Sequence, residues 1–317
     1  MGNFFVNKLA VNTFCILLNL NKCRCRNKNL VFFTELAYYI IVKLFNGDFI
    51  MDNRPIGVFD SGLGGLTAVR ELRRLLPNEN IIYFGDTGRM PYGGRPREQM
   101  RIIAGQNIAF AESFGVKAIL AACGTISSNA PDILENNKTK AIGVLKPGTL
   151  ELAQTHAEWL GVIATKTSIE SGAFQAEISS LAPDSEVTAL ACPEFVPMIE
   201  SGHYLPTDSL VREVVARSLE PLKGIGALLL GCTHYGLIAD AIREYLGPDV
   251  ILVGAADASA RALAEYLNSN DLLNADGGSE SYYTSGDKDS FKSLAPIMLG
   301  YELKSEVCHI EPFPLEN

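Results

Sequence analysis

Two short stretches carry the residues best suited to chemistry. "LAACGT" (120–125) and "LLGCTH" (229–234) each run from an apolar segment into a cysteine and then into hydroxyl-bearing residues. They supply Cys123 and Cys232, with Thr125, Thr233 and His234 close behind. A buried free cysteine is common and usually inert, so either one alone is as readily core as reagent. Two in matching places suggest thiols that face each other across a cleft. Opposed thiols can remove a proton from one face of a carbon and deliver a proton to the other, which is racemisation by two bases. That exchange needs one thiol ionised and its partner protonated. A free thiol has a pKa of about 8.5, lowered at helix N-termini and beside His⁺.

The neighbouring residues fit the same chemistry. Asp60, just after the apolar run "IGVF", can tune one thiol and His234 the other. Ser61, Thr125 and Thr233, with backbone N–H groups at helix starts, can hold a substrate α-carboxylate. The run Gly62-Leu63-Gly64-Gly65 lets backbone approach a ligand, but it lacks the spacing of a dinucleotide fingerprint. No lysine stands in these motifs to form a Schiff base, so no cofactor is expected. No metal is expected either, because only His234 lies near a cysteine and the other histidines are scattered. A structural disulfide is disfavoured by the cytosolic compartment expected here. Cys192, followed by "PEF", has no hydroxyl or imidazole beside it and reads as structural.

The elements that must position these residues follow from the apolar runs. Strands are predicted at 56–59, 81–84, 118–122, 141–144, 160–164, 187–191, 227–230 and 250–253. These runs are continuous rather than alternating, as in strands buried on both faces of a parallel sheet. Helical patterns lie between them. "GLTAVRELRRLL" (65–76) puts Leu66, Val69, Leu72 and Leu76 on one stripe. The order predicts an open α/β fold, whose ligands bind beyond the carboxyl ends of the strands. Gly57-Val58 and Gly161-Val162 each open a strand, and Cys123 and Cys232 each end a later one. The fold class is therefore α/β with two related halves.

Composition limits the partners. The net charge of −9 disfavours nucleic acid or an anionic membrane as the main partner. Residues 1–50 differ from the rest, with six Lys/Arg against two Asp/Glu, leaving 21 against 34 elsewhere. Its apolar runs are too short or too interrupted to span a bilayer, and it lacks a signal-peptide cleavage pattern. The reading preferred here is an extension outside the fold, with the ordered domain beginning near Met51. An amphipathic leader is the competing reading.

Several separate motifs resemble the cofactor-independent glutamate racemases, of the aspartate/glutamate racemase superfamily. They are "IGVFDSGLGGLTAVRELRRLLPNENIIYFGDTGRMPYGGR", "AACGTISSNA", "ESGAFQ", "CPEFVPMIESG", "LLLGCTHYGLI" and "YYTSGD". The resemblance covers roughly 250 residues, from about Ile56 to Gly300. It implies two Rossmann-like or flavodoxin-like parallel-sheet domains related by pseudo-twofold symmetry, with the active site between them. The domains would be 51–147 plus 255–317, and 148–254. It implies Cys123 and Cys232 as the acid/base groups, assisted by Asp60 and His234. Asp60 and His234, with Ser61, Tyr92, Gly93, Gly124, Thr125 and Thr233, would also bind the substrate. It further implies a bacterial cytoplasmic enzyme supplying D-glutamate for peptidoglycan, with a small-molecule substrate and at most a second copy of itself, as a homodimer, for partner.

The chain departs from the family pattern at Gly124, where the family reads "ACNT" and its Asn contacts substrate. Loss of that contact predicts weaker glutamate binding, and a lower KM for Gly124→Asn. Lys146 and Lys166 stand where the family tends to have Glu, and Gly236 where it often has Pro. The alternative readings are a related racemase, for example of aspartate, and a non-catalytic amino-acid-binding protein with the same cleft.

Overall fold

The computed structural model describes residues 52–315. The expectation for residues 1–50 lies outside the described residues. Among the described residues ten strands form two sheets, and every pairing in both is parallel. The first sheet holds β1 (Ile56–Asp60), β2 (Ile81–Gly85), β3 (Ala118–Ala121), β4 (Ala141–Gly143), β9 (Glu280–Thr284) and β10 (Val307–His309), in the order β10-β9-β2-β1-β3-β4. The second holds β5 (Trp159–Ala164), β6 (Glu186–Ala191), β7 (Ala227–Leu230) and β8 (Ile251–Gly254), in the order β6-β5-β7-β8.

The two orders are the same topology. In each sheet the first strand is central, the second lies to one side, and the third and fourth lie to the other. β1 therefore corresponds to β5, and β3 to β7. Each sheet reverses its direction of growth beside its first strand, the place where open α/β sheets bind ligands. The expected α/β class with two related parallel sheets is what the chain adopts.

The eight strand runs read from the sequence are all strands, within a residue or so at each end. β1, β3 and β7 are buried along their whole length, as apolar runs covered on both faces must be. β9 and β10 were not foreseen. "ESYYT" alternates buried and half-buried residues, and β10 is only three residues long. The expected helix at 65–76 is α1 (Leu66–Leu75), with Leu66, Val69 and Leu72 buried. It follows β1 at once, so its start carries the 60–65 turn to the mouth of the first sheet.

Candidate functional site

Cys123 immediately precedes the short helix Gly124–Asn129, just beyond β3. Cys232 immediately precedes the 3₁₀ segment Thr233–Ile238, just beyond β7. The two thiols thus occupy equivalent strand ends in the two sheets. Both line one cavity of about 220 Å³. Asp60 and Ser61 reach that cavity from the end of β1, and Tyr92 and Gly93 from the loop after β2. Gly124, Thr125, Thr233 and His234 complete the expected set, and all of it lines this one space.

The first-sheet face is anionic. Asp60 is 2% exposed, and its Oδ2 accepts the Gly65 N–H at 2.8 Å. That bond fixes the glycine turn, where a Cβ on Gly65 would lie 2.6 Å from the Asp60 side chain. Burial, and then the charge of Asp60, push the Cys123 thiol up to about 12. At neutral pH Cys123 holds its proton.

The opposite face holds a histidine paired with a carboxylate. His234 Nδ1 lies 3.8 Å from Cys232 Sγ, and its Nε2 lies 3.0 Å from Glu200 Oε1. Burial disfavours charge on this ring, but the hydrogen bonds to Cys232 and Glu200 outweigh it. The imidazolium is pushed up to about 10. The two thiols therefore sit in opposite electrostatic surroundings, one beside a carboxylate and one beside an imidazolium.

Polar contacts join the two sides around the cavity. Thr67 Oγ1 donates to the Thr233 carbonyl at 3.1 Å. The Thr125 and Thr165 hydroxyls are 3.3 Å apart. The Gly94 N–H donates to Thr167 Oγ1 at 2.9 Å.

The Asp/Glu/Hydantoin racemase family profile matches residues 69–263. The chain belongs to this racemase family. It is 40% identical to the glutamate racemase of Streptococcus gordonii over 267 residues, which is 82% of this chain and all of that one. Among solved structures it is similar to glutamate racemase from Francisella tularensis in complex with D-glutamate, at 37% identity and a TM-score of 0.76. The Thermus thermophilus glutamate racemase in complex with beta-chloro-D-alanine is similar at 39% identity and 0.74. Both alignments cover 82% of this chain and 98% of the other.

Within this racemase, Tyr92 and Gly124 both line the cavity, and each has contacts beyond it. The Tyr92 ring lines the cavity, but its hydroxyl is committed behind the wall, donating to Asp86 Oδ2 at 2.5 Å and accepting from Asn107 Nδ2 at 3.1 Å. At Gly124, a Cβ would lie 2.5 Å from the Gly231 carbonyl oxygen on the other side of the cleft. An Asn there would meet backbone before it met substrate. The expectation that Gly124→Asn would lower KM is corrected on that ground. The Cys192 reading agrees with its surroundings: it is 1% exposed in the core, and its carbonyl accepts the Tyr235 hydroxyl at 2.9 Å.

The sequence reading missed Glu200, Thr165 and Ser168, which also line the cavity. Glu200 ends the helix Phe195–Glu200. Its place in "MIESG", within a motif already noted, was the available signal, but its partnership with a histidine 34 residues away is tertiary.

Proposed function

We propose that this racemase interconverts L- and D-glutamate by passing protons at Cα between Cys123 and Cys232. A thiolate on one side takes the Cα proton and becomes a thiol. The thiol on the other side gives its proton to the opposite face of the carbanion and becomes a thiolate. The net result is inverted substrate and an exchanged pair of thiol states. The proton returns through solvent after product leaves. Cys123, its thiol pushed up by burial and by the charge of Asp60, is the resting acid on one face, and Cys232, beside His234, is the group on the other. Asp60 faces the substrate ammonium group, and Ser61, Thr125 and Thr233 face its α-carboxylate. Glu200 is a positioning residue that keeps His234 charged and oriented.

The observation that carries this reading is the placement of both cysteines at equivalent strand ends on one cavity. The names of the relatives at about 40% identity favour glutamate over aspartate. Two lobes, 51–147 with 255–317 and 148–254, are proposed with it, and the strands of each sheet fall within those ranges. Among the described residues no helix is long and apolar enough to cross a membrane. A cytoplasmic enzyme supplying D-glutamate for peptidoglycan, acting alone or as a homodimer, fits the family. The test is turnover of L- and D-glutamate and L- and D-aspartate, assayed separately by chiral chromatography. Glutamate should be turned over in both directions with the higher kcat/KM. Faster turnover of aspartate would reassign the substrate.

A further inference from the structure

A buried polar network runs from the wall of the cavity to the C-terminal tail. Asp86, fully buried, accepts the Tyr92 hydroxyl at 2.5 Å and Arg89 Nε at 2.6 Å on Oδ2. Its Oδ1 accepts the Ser285 hydroxyl at 2.6 Å. Arg89, 5% exposed, also donates to Asn107 Oδ1 at 2.9 Å and to Gln106 Oε1 at 2.5 Å. Its Nη1 also donates to the carbonyl of Phe313, at 3.4 Å, and the Phe313 ring lies 5.6 Å from the guanidinium carbon. Gln106 Nε2 donates onward to the Pro314 carbonyl at 2.9 Å.

Neither Asp86 nor Arg89 lines the cavity. They reach it through the Met90–Gly93 segment and through the Asp86 N–H, which donates to the Asp60 carbonyl at 3.0 Å. Burying this ion pair carries a desolvation cost that an apolar pair would avoid. A fully satisfied buried network does, however, fix the geometry of its members. What it fixes here is the Tyr92–Gly94 wall, held from the front by the Gly94–Thr167 bond. The tail completes the network from behind, since Phe313 and Pro314 supply its last two acceptors.

We propose that the tail around Phe313 and Pro314 is a clamp on the substrate site, acting through Arg89 and Asp86 as positioning residues for the Tyr92–Gly94 wall. This rests on that wall bordering the glutamate site, as proposed above. Loosening the wall weakens substrate binding and leaves the thiols in place, so KM moves more than kcat.

The test compares wild type with a chain ending at Ile310 and with Phe313→Ala and Phe313→Tyr, measuring kcat and KM for both glutamate enantiomers and thermal unfolding. The truncation, which removes both carbonyl acceptors and the ring, should raise KM about 3- to 10-fold, the scale of one or two net hydrogen bonds, and Phe313→Ala, which removes only the ring over Arg89, about 2- to 5-fold, with kcat within about twofold for each. Phe313→Tyr, which keeps ring and backbone, should restore the wild-type KM. An unchanged KM in Phe313→Ala overturns the clamp, as does a fall in kcat at constant KM. Should the truncated chain fail to fold, Phe313→Ala, a change at a half-buried surface ring, decides alone. A wild type that does not turn over glutamate would instead refute the substrate reading, so the two failures are distinct.

Discussion

His234 bridges Cys232 and Glu200, with Nδ1 3.8 Å from the sulfur and Nε2 3.0 Å from the carboxylate. Across the cavity Cys123 has the charge of Asp60 against it instead. The two thiols therefore have different neighbours, and burial with the charge of Asp60 keeps the proton on Cys123 before substrate arrives.

The bridge predicts the effect of Glu200→Gln. A charge-assisted hydrogen bond contributes about 1.5–3 kcal/mol, and its loss lets the imidazolium release its proton at lower pH. The alkaline limb of the pH–rate profile should move to lower pH by roughly 1–2 units, so that kcat/KM falls a few-fold at most at pH 8 and further above it. A profile that keeps its shape, merely scaled down, would mean that Glu200 does not act through His234.

Each thiol should be indispensable. Cys123→Ala and Cys232→Ala should each lower racemisation in both directions by at least about 10³-fold, within the range for removing an acid/base group. Cys192→Ala, a core change at a residue that does not line the cavity, should cost stability and leave kcat near wild type. Near-normal turnover by either of the first two variants contradicts the two-thiol account.

Stability should fall as pH rises. His234 is held up to about 10 against an ordinary 6.5, and Cys123 up to about 12 against 9.0. In both cases the folded chain keeps a proton that the unfolded chain has released. The contribution of His234 is complete below about pH 6.5 and is lost as pH climbs through about 10; that of Cys123 is lost between about 9 and 12. Chemical denaturation from pH 6 to 10 should show a declining unfolding free energy, with a shallower decline in His234→Asn. Equal slopes for the two chains would remove His234 from the explanation.

Gly124 should resist substitution. A side chain there meets the Gly231 carbonyl, one residue before Cys232, and forces the two faces apart. Gly124→Asn should lower kcat by about tenfold or more, because small misplacement of reacting groups is costly. A lower KM with unchanged kcat would show that the cleft opens at no cost and accepts the extra side chain.

Much of this site was legible as strand ends. Cys123, Cys232, Asp60 and His234 each stand just past a continuous apolar run, and that pattern needs no partner to be read. The shared topology was legible too, because both halves repeat the same order of runs and glycines. β9 and β10 were not, since a half-buried alternating strand and a three-residue strand carry little apolar signal. Glu200 was missed because its role depends on a histidine brought to it by the fold. The tightness at Gly124 was also hidden. It comes from the backbone of the opposite sheet, and no local spacing encodes that approach.

The central claim is that two different groups work on the two faces of Cα. The most direct measurement is early-time NMR of L-glutamate, and separately D-glutamate, incubated with enzyme in D₂O. Each face has its own thiol, so deuterium should enter the product enantiomer as it forms. The remaining substrate should stay protiated until the reverse reaction begins. Deuterium entering the substrate enantiomer as fast as the product would mean that a single base serves both faces, and would contradict the account.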